Sequence, residues 1–140
     1  VVIGSLRLAG VETMNSENKT QGVVLFAHGS RDPLWRRPME AVAARVAARS
    51  PAVAVRCAYL ELTEPDLPSV ADELAGLGPA SVTILPMFLG AGRHAREDLP
   101  ALVDALRLKH PAVRWDLQPP VGENERMLDL LAELALGPAG

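Results

Sequence analysis

The sequence has little of what several large protein classes require. Its single cysteine, Cys57, excludes an internal disulfide and any cysteine-based zinc cluster, and is compatible with a reducing cytosol. No apolar run approaches the roughly 20 residues of a membrane-spanning helix. The net charge of −3 argues against a nucleic-acid or membrane-surface protein, which would usually carry a basic face. We therefore expect a cytoplasmic protein whose partners include neither nucleic acid nor a membrane.

Length and composition indicate one globular unit. The chain has 140 residues, of which 49% are hydrophobic and 22% charged, as in ordinary soluble domains. The first 20 residues lack the basic region and the cleavage site of a signal peptide. We expect residues 1–20 to be a disordered leader or a cloning remnant, and residues 21–137 to form a single α/β domain.

Short apolar runs alternate with helical patterns along the rest of the chain. Four runs have the length and composition of buried strands: GVVLFA (22–27), AVAVRCAYL (52–60), SVTILPM (81–87) and AVRWDLQ (112–118). Apolar residues at helical spacing follow each run: Met39, Val42, Ala43 and Val46; Leu67, Val70, Ala71 and Leu74; Leu99, Leu102, Val103 and Leu106; Met127, Leu130, Leu131 and Leu134. This alternation predicts a three-layer α/β/α fold, with a four-stranded parallel sheet and right-handed crossovers.

Polar segments follow the predicted strands, where open parallel sheets bind their ligands. His28, Glu61 and His94 each lie at or just past the end of a different strand. Two imidazoles and a carboxylate suit a divalent first-row metal such as Fe, Co or Ni, and imidazole also accepts protons near neutral pH. Ordinary loop chemistry explains any one of these residues, but their joint placement favours a site. Glu64 competes with Glu61 for the acidic role, unless it only shapes the following turn.

Three arginines, Arg31, Arg93 and Arg96, lie in the same segments as two of the histidines. Guanidinium groups pair bidentately with carboxylate or phosphate, so these side chains could hold an anionic ligand. They could equally neutralise the acidic residues beside them, which are Asp32, Glu97 and Asp98. The glycines of GAGRH (90–94) lack the spacing of a nucleotide-binding loop and would rather let the backbone approach a flat ligand.

Four segments together resemble a known family. LFAHGSRDP, AYLELTEPDLPSV, LPMFLGAGRHAREDLP and PPVGENERM occur in the order and spacing of the small, single-domain sirohydrochlorin cobaltochelatases, the CbiX-like class II chelatases. The resemblance covers about residues 22–135, and HGSRDP and GRHAREDLP are its most specific parts. It implies a chelatase-like half-domain of the flavodoxin or Rossmann type.

The resemblance also implies an activity. Members of the family insert a divalent metal into a sirohydrochlorin-type tetrapyrrole, without ATP or a permanently bound cofactor; we expect Co²⁺ first, with Fe²⁺ and Ni²⁺ as alternatives. His28 and His94 match the family's active-site histidines, and Glu61 best matches its acidic metal ligand by position. The carboxylates of such a substrate would give the three arginines a role as clamps, with Ser30 and Gly92 as further substrate contacts. The resemblance implies a homodimer as well.

Two other functions stay open on the sequence alone. A ligand set suited to delivering a metal also suits a non-catalytic carrier of metal or tetrapyrrole. A histidine phosphatase is less consistent with the residues, because such enzymes carry Arg-His-Gly whereas Ala27 precedes His28 here.

Overall fold

The computed structural model describes residues 21–138, so the predicted leader over residues 1–20 lies outside the described residues. Four strands form the sheet: β1 (Gln21–Ala27), β2 (Val53–Tyr59), β3 (Ser81–Pro86) and β4 (Arg114–Leu117). Four α-helices connect and follow them: α1 (Arg37–Arg49), α2 (Leu67–Gly76), α3 (Arg93–Lys109) and α4 (Glu125–Leu136). A 3₁₀ helix (Val121–Glu123) lies between β4 and α4.

All the strands pair in parallel, in the order β2-β1-β3-β4. The predicted fold class is confirmed, and the strand bounds differ from the predicted runs by at most two residues. The largest difference is at β4, because Val113 closes a turn onto the carbonyl of His110 before the strand begins. Since β2 and β3 lie on opposite sides of β1, the chain reverses direction across the sheet at the β1/β3 pair. Open α/β sheets bind ligands at such a reversal point.

One face of the sheet carries the main hydrophobic core. Helices α2 and α3 pack on this face and bury the apolar positions that their sequence periodicity predicts. The buried residues are Leu67, Val70, Ala71 and Leu74 of α2, and Ala95, Leu99, Val103 and Leu106 of α3. From the sheet, the side chains of Val24, Phe26, Ile84 and Trp115 complete this cluster. Burial of this contiguous surface is the main source of the fold's stability.

The opposite face is covered much less completely. Neither α1 nor α4 contains a buried residue. On α4 the predicted apolar face is only partly covered, with Leu130 48% and Leu134 67% exposed. The sequence pattern finds this helix correctly but not its exposure, because amphipathic spacing does not state whether another element covers the apolar side.

A polar cluster ties α2 to the end of α3. Asp72 accepts hydrogen bonds from Lys109 at 3.0 Å and from the His110 ring at 2.8 Å. These two partners hold the pKa of the Asp72 carboxyl below its usual range. His110 is therefore held in a structural contact at the opposite end of α3 from His94. No helix within residues 21–138 has the length and apolar character needed to cross a membrane.

The burial of the core leucines gives a stability prediction. Leu74 of α2 is fully buried, whereas Leu108 of α3 is 85% exposed. Replacing Leu74 with Ala removes buried contacts and leaves a cavity, so we expect the free energy of unfolding to fall by about 2–5 kcal/mol. The matched Leu108→Ala variant should change it by at most about 0.5 kcal/mol. Urea denaturation of both variants measures the difference, and equal losses would contradict the packing described.

Candidate active site

Three residues singled out by the sequence lie at the carboxyl edge of the sheet. His28 directly follows β1, Glu61 follows β2 by two positions, and His94 is the second residue of α3. All three side chains are exposed. The parallel strands therefore bring to one edge residues that are about 33 positions apart in sequence, and the site straddles the β1/β3 reversal point.

The backbone pairing of β1 and β2 continues past the ends of both strands. Leu60 donates its N–H to the carbonyl of Ala27 at 2.9 Å, and Glu61 donates to the carbonyl of His28 at 3.0 Å. The loop that carries His28 is thus hydrogen-bonded to the loop that carries Glu61. The backbone of His28 is therefore hydrogen-bonded to the neighbouring loop and does not lie in a free turn.

Gly29, Ser30 and Thr63 complete the contact between these two loops. The Thr63 hydroxyl donates to the Ser30 carbonyl at 2.7 Å and accepts the Ser30 N–H at 2.9 Å. Gly29 has a φ of +102°, and a Cβ built on it would overlap the carbonyl oxygen of Glu61. Only glycine fits there without strain. Nothing in the sequence pattern indicates the role of Thr63, because this role arises from contact between two loops that are distant in sequence.

The His28 imidazole stacks on the ring of Phe88, with ring centroids 4.3 Å apart and an angle of 30° between the planes. Phe88 follows β3 by two positions and is buried. From the sequence, Phe88 could equally line a ligand site or pack in the core, and nothing there indicates a contact with His28. Only the pairing of β1 with β3 places it beside His28.

The three candidate metal ligands are not gathered into a closed group. Within residues 21–138, no three His, Cys, Asp or Glu side chains are placed to hold a metal ion together. His94 lies at the N-terminus of α3, which the Gly92 backbone caps. His28, Glu61 and His94 thus share an edge of the sheet, while their joint role as metal ligands stays a prediction.

The acidic alternative, Glu64, is also exposed. It immediately precedes Pro65, whose carbonyl accepts the N–H of Tyr59 at 2.9 Å in the turn that leads to α2. Glu61 differs in being hydrogen-bonded, through its own N–H, to the carbonyl of His28. This pairing favours Glu61 by position, although both carboxylates remain accessible.

The arginines of these loops are mostly unpaired with their acidic neighbours. In the described part of the chain, neither Arg31 nor Arg96 forms an ion pair, and Arg93 only approaches Glu97 at 4.0 Å. Asp32 instead accepts the N–H of Leu34 at 2.9 Å and shapes the turn before α1. Simple neutralisation of adjacent carboxylates therefore does not account for Arg31 and Arg96.

The sequence analysis predicts two further substrate contacts, Ser30 and Gly92. The Ser30 hydroxyl accepts the N–H of Asp32 at 3.1 Å, so it also stabilises its own loop. A Cβ built on Gly92 would meet no atom within 4 Å, so the backbone there is open to a ligand. A cavity of about 280 Å³ lies beside this region, with Phe88, Arg96 and Leu99 among its lining residues.

Cys57 and Tyr59 lie below the Glu61 loop and can be excluded as proton acceptors. Burial, followed by the proximity of Cys57, raises the pKa of Tyr59 to about 12. Burial also raises the pKa of the Cys57 thiol, against the opposing effect of its hydrogen bond with Tyr59. Both groups stay protonated at neutral pH, which leaves the imidazoles and exposed carboxylates for acid–base chemistry.

Comparison with known proteins identifies relatives along most of the chain. The family model CbiX matches residues 22–136. A solved structure of a CbiX protein from Marinobacter aquaeolei VT8 is similar, with a TM-score of 0.71 and 34% identity, covering 83% of this chain and 94% of that chain. Sirohydrochlorin cobaltochelatase from Methanococcoides burtonii is 24% identical over 123 residues, which are 82% of this chain and 94% of that protein.

A longer protein shares the same fold. The structure of the sirohydrochlorin chelatase SirB from Bacillus subtilis subspecies spizizenii, in complex with cobalt, has a TM-score of 0.69 and 22% identity. The match covers 81% of this chain but 48% of SirB. The present chain therefore corresponds to about half of that molecule.

The contact at Gly29 gives a direct test of the loop geometry. Replacing Gly29 with Ala puts a Cβ against the Glu61 carbonyl at a positive φ, so we expect the free energy of unfolding to fall by at least about 2 kcal/mol. The control is Gly76→Ala at the end of α2, where a Cβ meets nothing within 4 Å and stability should be unchanged or slightly higher. Chemical denaturation measures both, and an equally stable Gly29→Ala variant would show that the loops are not in contact.

Proposed function

We propose that this chain, which belongs to the CbiX family, inserts a divalent metal ion into sirohydrochlorin or a closely related tetrapyrrole. The observation that carries the proposal is the placement of His28, which is held on paired backbone at the β1/β3 reversal point, at the same edge as Glu61 and His94. The curated relatives that cover nearly the same length bear the name sirohydrochlorin cobaltochelatase. We therefore place Co²⁺ first among the metals, ahead of Fe²⁺ and Ni²⁺.

The metal is a substrate in this reaction, and the exposed ligand set suits its transfer. A divalent ion replaces two N–H protons of the macrocycle, so the site must release a metal and accept protons. We assign His28 and His94, with Glu61, as the ligands that hold the ion before transfer. A neutral imidazole or carboxylate that is no longer bound to metal can then accept a pyrrole proton. A rigid, closed set of ligands would hinder this release.

The arginines supply positive charge for binding the carboxylates of the macrocycle. Its peripheral carboxylates would pair with Arg31 and Arg96, which form no ion pair in the described residues, and with Arg93, whose contact with Glu97 is long. The N-terminus of α3 adds a partial positive charge next to Arg93. The open backbone at Gly92 and the Ser30 loop would contact the same ligand.

We also propose the domain, the compartment and the cofactor requirement of the reaction. Residues 21–137 would act as a single catalytic domain in the cytoplasm, with no permanently bound cofactor and no ATP. No nucleic acid or membrane partner is needed for this chemistry. The acidic composition and the solitary cysteine support this assignment.

We also propose that two copies of the chain form a homodimer. The apolar side chains of α4 support it, because Leu128, Leu130 and Leu134 are exposed on one helix. The chain also spans about half of SirB, so a second copy could occupy a position comparable to the rest of that longer protein.

The activity is tested by mixing the purified protein with sirohydrochlorin and Co²⁺, Fe²⁺ or Ni²⁺ and following the absorption change. We expect a rate above the uncatalysed reaction and many metallated macrocycles per protein. His28→Ala and His94→Ala should each lower kcat by at least about a hundredfold while the melting temperature stays close to that of the wild type. The matched control is His110→Ala, since His110 lies at the other end of α3 and should leave kcat unchanged.

Three outcomes would count against this assignment. Rates equal to the uncatalysed reaction with all three metals would refute the enzyme, and about one metallated macrocycle per protein would indicate a carrier. Full activity of Glu61→Gln with loss in Glu64→Gln would move the acidic role to Glu64.

Light scattering during size-exclusion chromatography tests the dimer. We expect the wild type to elute with twice the mass of one chain, and Leu134→Glu to elute as a monomer because a charge would enter the apolar interface. Leu108→Glu makes the same change at a leucine of α3 that is 85% exposed, and it should remain dimeric. A monomeric wild type at assay concentrations, or dissociation of both variants, would rule out an α4 interface.

A further inference from the structure

The His28 side chain needs a restraint that the loop contacts do not provide. Hydrogen bonds fix its backbone, but rotation about the bond to the imidazole ring is broad and loosely restrained in histidine. Within residues 21–138, no hydrogen bond or ion pair reaches the His28 ring nitrogens. The ring could therefore turn its nitrogens through many directions unless a neighbouring group holds its plane.

Phe88 is that neighbour. The two rings lie 4.3 Å apart and 30° from parallel, a stacked arrangement that limits the imidazole to one plane. Rotation out of this plane would break the contact and drive the edge of the imidazole against the phenyl face. The stack leaves the ring edge, which carries the nitrogens, free for a ligand.

Phe88 is itself firmly held. The residue is 3% exposed, and its ring meets the ring of Phe26 edge-on, with centroids 6.0 Å apart and an angle of 72° between the planes. The backbone carbonyl of Phe88 accepts the N–H of Gly122 at 3.0 Å. A Cβ on Gly122 would overlap the carbonyl of Leu89, so the glycine permits this close approach. The segment PPVGENER, which follows β4, thus supports the Phe88 loop from behind.

We propose that Phe88 is a positioning residue that sets the plane of the His28 imidazole for metal transfer. This inference rests on the proposed function. Phe88 itself contacts neither metal nor macrocycle in this role; it acts through His28. A fixed plane presents the ring nitrogen in one direction, so the ion and the pyrrole protons meet it without a search through other orientations.

Kinetics of matched variants separate positioning from simple packing. Phe88→Leu and Phe88→Met keep an apolar side chain but remove the aromatic face, and we expect each to lower kcat about tenfold to a hundredfold with KM for sirohydrochlorin within about twofold. Phe88→Tyr keeps the face, and the neighbouring cavity of about 280 Å³ gives its hydroxyl room, so kcat should stay within about twofold of the wild type. Trp115→Phe loses comparable buried surface in the same core away from His28, and its kcat should be unchanged.

Proton NMR of the histidine rings tests the stack without any activity. The chain has three histidines, and His28→Ala identifies the His28 signals by their loss. The phenyl ring current should shift the His28 ring protons upfield in the wild type and in Phe88→Tyr. The shift should vanish in Phe88→Leu and Phe88→Met. Without that difference, the two rings are not stacked in solution and the inference fails.

Failure of the proposed function and failure of the positioning role give different results. A wild type that is no faster than the uncatalysed reaction refutes the proposed function, whatever the NMR shows. An active wild type with folded Phe88→Leu and Phe88→Met variants of unchanged kcat refutes only the positioning role. Equal loss of kcat in Trp115→Phe and Phe88→Leu would likewise assign Phe88 to packing alone.

Discussion

The site depends on one close backbone contact, between Gly29 and the carbonyl of Glu61. No side chain fits there, and the contact lets the pairing of β1 and β2 continue to His28, one residue past β1, and to Glu61, two residues past β2. Thr63 then bonds the Ser30 backbone through both its donor and its acceptor functions. A loop that would otherwise be mobile becomes an extension of the sheet, and His28 is carried on it.

One face of the sheet carries the core that stabilises the fold, and the other carries the proposed dimer interface. Helices α2 and α3 close one face into a contiguous core, which gives the strands a firm base beneath the site. Helices α1 and α4 leave the other face partly open, with leucines exposed on α4. Such a surface is costly in an isolated chain, and covering it with a second copy would recover that free energy. The incomplete cover that α1 and α4 give this face thus supports the proposed dimer.

Much of this architecture could be predicted from the sequence. The alternation of apolar runs and helical periods gave the fold class, and the strand ends gave the edge on which His28, Glu61 and His94 lie. The stacking of Phe88 on His28 and the bonds of Thr63 could not be predicted, because both arise from pairing between loops that are distant in sequence. The sequence shows Phe88 only as one apolar residue among several. The exposure of Leu134 was also hidden, since amphipathic spacing states which side of a helix is apolar but not whether anything covers it.

Binding of Co²⁺ at the edge shared by His28 and His94 is the central claim, and paramagnetic NMR tests it most directly. Adding Co²⁺ to the protein without macrocycle should shift and broaden the ring signals of His28 and His94, which lie close to the ion if they ligate it. The ring signals of His110, bonded to Asp72 at the far end of α3, should hardly change. Substituting either His28 or His94 should weaken the effect on the other. Co²⁺ that leaves both of these signals in place, or that perturbs His110 alone, would contradict the account.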